Sequence, residues 1–185
     1  SCFGKRAPLT VEIGFGMGDS LLQMAAENPD HNFLGIEVHR PGVGKLMNGA
    51  EAKGIKNLKV ICHDATEVMQ YCFGENSIDR VLIFFPDPWP KKRHHKRRIV
   101  QPDFVSLLAS RLCPGGCSHL ATDWEQYAEH MLEVLDNEPS LENANGRGEF
   151  WLQANRPQTK FERRGERLGH GVWDLLYRKV EKTSA

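Results

Sequence analysis

The residues with the most chemical content lie between Phe84 and Arg98, in the run FFPDPWPKKRHHKRR. One carboxylate, Asp87, stands between Pro86 and Pro88 and beside Trp89, with Pro90 closing the group. Each proline fixes its own φ, so the loop that carries the acid is stiffened. Six Lys/Arg and two His follow within Lys91–Arg98, with no acid among them. The whole chain balances 24 Lys+Arg against 24 Asp+Glu, so outside this block 18 cations face 24 acids. A mildly acidic body with one basic block implies a localised site for an anion, not a uniformly basic surface. A solvated loop is the plainer alternative, but the block adjoins Asp87 instead of lying in a tail.

A second group of acids and glycines lies upstream. In VEIGFGMGDS, an apolar run leads into Gly14, Gly16 and Gly18 and then a helical pattern. Glycines allow a tight turn and let a ligand approach the main chain. A dinucleotide fold would want G-x-G-x-x-G with a pyrophosphate on the helix N-terminus. Here the third glycine comes one residue early, and Asp19 stands where it should be, which repels a pyrophosphate. The pattern E-x-G-x-G-x-G, led by Glu12, suits a ligand with a cationic head. S-adenosylmethionine has an ammonium and a sulfonium and no phosphate. Glu37, nineteen residues beyond Gly18, stands where an acid can hold ribose hydroxyls. Asp64, in CHDA, is placed to reach the adenine amino group.

These acids need elements to hold them. Leu9–Phe15, Asn32–Val38, Leu58–His63, Ile78–Phe85 and Cys117–Asp123 are short, largely apolar runs, as strands buried on both faces are. Between and after them, Asp19–Glu27, Gly42–Lys53, Thr66–Phe73, Gln101–Leu112 and Glu125–Asn137 carry helical periodicity, with Asp19 an N-cap for the first. GEFWLQ (148–153) and GVWDLLYRKV (171–180) are expected as a closing strand pair, separated by TKFERRGERLG. Five βα units and a strand pair make an open α/β sheet with an antiparallel edge. Ligands of such sheets bind beyond the carboxyl ends of the strands. Glu37, Asp64, Asp87 and Asp123 each follow one of four successive strands. One such acid is ordinarily a cap or a solvated end, but four on one edge are hard to explain that way.

The stretches VEIGFGMGDSL, GIEVHRPGVGKL, HDA, FFPDPWPKKRHHKRRIVQPDFV, LATDW and TKFERRGERLGHGVWDL resemble the bacterial tRNA (guanine-N7-)-methyltransferase family from Leu9 to about Lys179. The resemblance implies a Rossmann-like class I S-adenosylmethionine-dependent methyltransferase fold, α/β with a mostly parallel sheet and an antiparallel C-terminal edge. It implies methyl transfer from S-adenosyl-L-methionine to N7 of a guanosine in the variable loop of tRNA. By motif position it makes Glu12, Gly14, Gly16, Gly18, Glu37 and Asp64 cofactor-binding and Asp87 the active-site acid. Lys91, Asp123, Thr159, Lys160, Phe161 and Glu162 become substrate contacts. Arg93, His94, His95, Lys96, Arg97 and Arg98 become the RNA-facing stretch. Trp89 either stacks on a base or packs beneath the loop. The family carries more residues before the first strand, so residues 1–185 are expected to be a single methyltransferase domain without that extension.

The bulk numbers agree with this. At 185 residues and 40% hydrophobic content, one domain can bury a sizeable core. No apolar run is long enough for a membrane helix. Five cysteines, odd in number and sparse, argue for a reducing cytoplasm over a disulfide framework. Cys113 and Cys117, in C-P-G-G-C, lack the ligand number and spacing of a zinc site, so no metal is expected and the segment is read as a helix-to-strand turn. The partner expected is tRNA, bound by a cytoplasmic monomer. Two rival readings remain: a non-catalytic RNA-binding module on the same fold, and a nicotinamide-dependent oxidoreductase, which the glycine spacing disfavours.

Overall fold

The structure is a computed structural model that describes residues 2–157 and 171–181. The TKFE segment, Thr159 to Glu162, therefore lies outside the described residues. The strands are β1 (Leu9–Ile13), β2 (Asn32–Ile36), β3 (Leu58–Ile61), β4 (Ile78–Phe84), β5 (Leu112–Thr122), β6 (Leu141–Asn143) and β7 (Trp173–Lys179). The helices are α1 (Asp19–Glu27), α2 (Arg40–Ala52), α3 (Ala65–Tyr71), α4 (Pro102–Arg111) and α5 (Glu125–Asp136), with a 3-10 helix at Lys92–Arg97. The sheet order is β3-β2-β1-β4-β5-β7-β6. The first five strands run parallel, and β7 runs antiparallel to both β5 and β6.

Alternation along the strands divides the core in two. Val11, Ile13, Leu34, Ile36, Val81 and Ile83 face α3, α4 and α5. Phe33, Leu82, Phe84 and Ala121 face α1 and α2, meeting Leu21, Met24 and Leu46. Both faces of the central strands are covered, which is why they carry near-continuous apolar sequence. Glu12 departs from that rule. It lies opposite Gly35 on β2 and Leu82 on β4, in a position where an aliphatic side chain would be ordinary.

Three local expectations are corrected. Asp19 does not cap α1: the N-cap is Gly18, in the left-handed region at φ 80, without a side-chain cap. A Cβ at Gly18 would sit 2.9 Å from Leu46 atoms, so the turn and the packing of α2 both require glycine. Asp19 instead reaches Lys45 Nζ on α2 at 2.9 Å. Second, GEFWLQ is not a strand. The partner of β7 is β6, with Leu141 opposite Lys179 and Asn143 opposite Tyr177. Gly146 and Gly148, at φ 100 and 82, turn the chain out of the sheet, and Trp151 N–H bonds back to it at Asp174 O (2.8 Å). Third, C-P-G-G-C is not a turn ahead of β5 but a bulge within it. Leu112 pairs with Ile78, and pairing resumes at Cys117 with Arg80. Gly116 is required there, because a Cβ would lie 2.8 Å from Cys113 O and 2.9 Å from Asp79 O.

No helix among the described residues is long and apolar enough to cross a membrane. The C-terminal edge is fastened by a buried polar group. Tyr177, fully buried, donates its hydroxyl to Asp136 Oδ1 at 2.5 Å and accepts from Asn143 Nδ2 at 3.1 Å. Asn143 Nδ2 also donates to Glu149 O at 3.0 Å, which holds the loop after β6. Tyr177→Phe leaves the shape intact and removes the two hydroxyl hydrogen bonds, to Asp136 Oδ1 and from Asn143 Nδ2. It should lower unfolding free energy by about 1–3 kcal/mol, read as a shifted urea midpoint with an unchanged m-value.

Candidate active site

The strand order reverses between β1 and β4, because β2 and β3 extend one way from β1 while β4 and β5 extend the other. The crevice beyond the carboxyl ends of the strands opens at that point. Along the edge, Asp64 follows β3, Glu37 follows β2, the glycine turn follows β1, Asp87 follows β4 and Asp123 follows β5. With strands about 4.8 Å apart, this row spans roughly 19 Å. The topology thus places the cofactor acids expected from sequence on one side of the switch point and Asp87 and Asp123 on the other.

The glycine turn is a cradle built without side chains. Gly14, Gly16 and Gly18 all have positive φ, at 69, 61 and 80. Gly14 N–H bonds Ile36 O at 2.8 Å, tying the turn to the end of β2. A Cβ on Gly42 of α2 would lie 1.9 Å from Gly16 O, so that helix seats directly on the turn. Glu12, at the base of the cradle, is 3% exposed, and its Oε2 has no hydrogen-bond partner among the described residues. Burial pushes its pKa up to about 8; a hydrogen bond from Ser20 opposes this, Glu37 adds repulsion, and Arg80 attracts. Glu37 is half-buried. Burial raises it too, against hydrogen bonds from the Val38 and Gly16 backbone. Asp64 caps α3, its Oδ1 accepting from Glu67 N–H at 3.0 Å.

This donor set fits S-adenosylmethionine. A buried carboxylate oxygen with no partner is costly, and an ammonium would satisfy it. The turn lacks Cβ atoms where a ligand must approach, and Glu37 stands at the adjoining strand end. No cation lies on the turn to receive a pyrophosphate. A concavity of about 660 Å³ elsewhere, over Thr10, Arg80, Leu82 and His119, contains none of these acids. The expected site residues gather instead at the strand ends beside the switch point.

On the other side of the crevice the Asp87 loop is tightly held. Phe85 and Trp89 adopt left-handed φ of 52 and 43, unusual for aromatic residues and maintained only by surrounding contacts. Phe85 N–H bonds Ala121 O at 2.8 Å. Asp87 is exposed, and its Oδ1 accepts from Trp89 N–H at 2.9 Å, leaving Oδ2 for a ligand. Trp89 is half-buried. Arg97 lies 5.0 Å over its ring and His94 meets it edge-on at 5.9 Å, so Trp89 joins the loop to the 3-10 helix and is not part of the main core. Lys91, Arg93, Lys96 and Arg97 are exposed, and His94 and His95 are half-buried. Asp123 is exposed at the end of β5 beside Trp124, which is 39% exposed. Arg98 departs from the sequence expectation: it is 4% exposed and does not share the surface of the other cations.

Sequence reasoning missed one group altogether. Asp174 Oδ1 accepts from His119 Nε2 at 2.7 Å and from Arg156 Nε at 2.8 Å, and Asp174 Oδ2 lies 3.2 Å from Arg156 Nη2. Burial would raise the Asp174 carboxyl, but His119 and Arg156 outweigh it and hold it low. Arg156 also lies 5.2 Å from the Phe85 ring, behind the Asp87 loop. The signal available was one charge inside an apolar strand, VWDLLY, but nothing in the sequence named its partners.

A methyltransferase family model, described as "Putative methyltransferase", matches residues 6–175. The tRNA (guanine-N(7)-)-methyltransferase of Idiomarina loihiensis is 59% identical over 177 residues, covering 95% of this chain and 72% of that protein. The protein of the same name from Pseudomonas entomophila is 59% identical over 180 residues, covering 97% and 75%. Among solved structures, TrmN from Thermus thermophilus aligns at TM-score 0.65 with 17% identity, covering 96% of this chain and 45% of that one. A SAM-dependent O-methyltransferase from Thermotoga maritima aligns at 0.64 with 16% identity, covering 98% and 62%. At such low identity these two establish the fold alone, a Rossmann-like class I methyltransferase fold. Identity near three residues in five along almost the whole sequence goes further: the chain belongs to the family of tRNA (guanine-N(7)-)-methyltransferases.

Proposed function

We propose that this chain transfers a methyl group from S-adenosyl-L-methionine to N7 of a guanosine in the variable loop of tRNA. The observation that carries the reading is the strand order, which sets the glycine cradle, Glu12, Glu37 and Asp64 on one side of the switch point and Asp87 on the other. The cofactor, when bound, supplies a methyl on a sulfonium that the N7 lone pair displaces in line, so no proton has to be removed. The protein's task is then to position and to neutralise. Glu12 and Glu37 hold the ammonium and the ribose, and Asp64 faces the adenine. Asp87 accepts from the guanine N–H edge and aims the ring. Lys91, Asp123 and the Thr159–Glu162 segment, with Lys160 and Phe161, complete the substrate contacts that motif position assigns. The exposed cations Arg93, Lys96 and Arg97, with His94 and His95, hold phosphates around the target.

Five cysteines, odd in number and sparse, support a reducing, cytoplasmic setting. Family membership removes the oxidoreductase reading. Methyl transfer from labelled cofactor into tRNA tests the proposal directly and separates it from a non-catalytic RNA-binding module.

Three outcomes are expected. Asp87→Ala and Asp87→Asn should each cut kcat on the order of a hundredfold, with S-adenosylmethionine affinity unchanged by calorimetry. A normal kcat in either variant removes Asp87 from the site.

Glu12 gives a pH signature. Its free-state pKa is raised to about 8, and pairing with an ammonium favours the ionised form. Cofactor binding near neutral pH should therefore release a proton, seen as a binding enthalpy that varies with buffer ionisation enthalpy. Glu12→Gln should abolish the release. A group raised on folding stabilises least once pH passes its folded value. The cofactor-free Glu12→Gln protein should accordingly gain stability over the parent as pH rises from about 5 to 8.

The basic block should make tRNA affinity fall steeply with salt. Neutralising Arg93 or Lys96 should lower the log–log slope by about 0.7–0.9 each, and unchanged slopes would reduce the block to a solvated loop.

A further inference from the structure

Arg97 and Arg98 are adjacent in the chain and point to opposite environments. Arg97 is exposed and lies over Trp89. Arg98 turns inward, where its Nε donates to Pro88 O at 2.6 Å and its guanidinium carbon lies 4.8 Å from the Tyr127 ring centroid. Its own N–H bonds His95 O at 3.1 Å, ending the 3-10 helix. Gln101 Nε2 donates to the same carbonyl at 3.0 Å. One residue thus joins the Asp87 loop, the end of the basic block and α5.

The α5 side of this joint is rigid. Tyr127 is fully buried, and its hydroxyl accepts from Val100 N–H at 3.1 Å. His130 Nε2 donates to Val100 O at 2.8 Å. Both backbone groups of Val100 are therefore held by side chains of α5. The Asp87 charge also lies close enough to Tyr127 to add to the burial that raises its hydroxyl.

Burying this cation is costly. No carboxylate pairs with Arg98 among the described residues, and its Nη2 is buried without a hydrogen-bond partner. A cation in a solvated basic loop would avoid that cost by turning outward. Burial also pushes its pKa down. What is gained in return is geometric, since the Pro88 carbonyl immediately follows Asp87.

We infer that Arg98 is a positioning residue that ties the Asp87 loop to α5 through the Pro88 carbonyl and the Tyr127 ring, and so sets where Asp87 stands. It does not contact RNA. The catalytic consequence rests on the methyl transfer proposed above; the structural tie does not. The requirement is for arginine specifically. A planar guanidinium can stack on a ring and donate from Nε at once, while an ammonium at the end of a flexible stem cannot do both.

Arg98→Lys keeps the charge and separates the two roles. A phosphate contact would tolerate it. A positioning role predicts that kcat for tRNA methylation falls roughly ten- to a hundredfold, with KM for tRNA within about threefold. S-adenosylmethionine affinity, cooperative melting and the salt slope of tRNA binding should match the parent. Hydrogen exchange should rise at residues 87–98 and stay unchanged in α1. Three results overturn the inference: parental kcat in Arg98→Lys, a salt slope lowered by about 0.7–0.9 in Arg98→Gln, or loss of cofactor binding and cooperative melting along with kcat, which marks a general packing residue. If the parent protein methylates no tRNA, the functional proposal fails, and the exchange measurement alone decides the tie, with unchanged exchange at 87–98 in Arg98→Lys overturning it.

Discussion

Parallel pairing of β4 beside β1, with Val11 opposite Val81 and Ile13 opposite Ile83, is the constraint on which the catalytic edge depends. It brings residues about seventy positions apart into adjacent strands and leaves β2 and β3 on the far side of β1. The reversal opens a crevice that neither half of the chain could make alone. Because both faces of β1 and β4 are covered by helices, the register is set by which aliphatic side chains face which layer. A slip by one residue would exchange the two faces throughout. The glycine turn and the Asp87 loop are held opposite each other by that register.

Around this edge the buried ionisable side chains Asp174, Glu12 and Arg98 are each accommodated differently. Asp174 is satisfied by His119 and Arg156 and stays ionised. Its role is structural, joining β5, β7 and the segment that precedes the TKFE stretch behind Phe85. Glu12 is left with an unpartnered oxygen. A buried carboxyl oxygen without a partner is costly, and the ammonium of the proposed cofactor complex would satisfy it. Arg98 is between these cases, with Nε satisfied, Nη2 not, and an aromatic ring beneath it. Its burial orders a loop that already contains left-handed φ at Phe85 and Trp89. Such strain persists only where neighbouring contacts over-determine the backbone, and here Arg98 inside and Arg97 outside supply them.

Local pattern recovered much of this. The five parallel strands, the glycine cradle and the acids that follow successive strands are legible because each depends on short-range rules: two-faced burial, left-handed glycines and strand ends. The motif resemblance supplied the identity of the substrate. The errors share one cause. Asp19 has the right residue type for a cap, but Leu46 on α2 demands a glycine one position earlier. GEFWLQ has a plausible strand composition, but glycines on its near side and the Tyr177–Asn143–Asp136 group direct the pairing to Leu141–Asn143.

What the sequence determined by itself, then, is the inventory: a methyltransferase-type α/β chain, the acids that follow its successive strands, its stiffened acidic loop and its basic block. These follow from residue types and spacing, which act over a few positions. Only the tertiary structure decided which members of that inventory face solvent. Arg97 and Arg98 are identical in type and adjacent in sequence, so no local rule separates them. Their fates differ because Tyr127, far along the chain on α5, and the carbonyl of Pro88 meet on one side of the chain and not on the other.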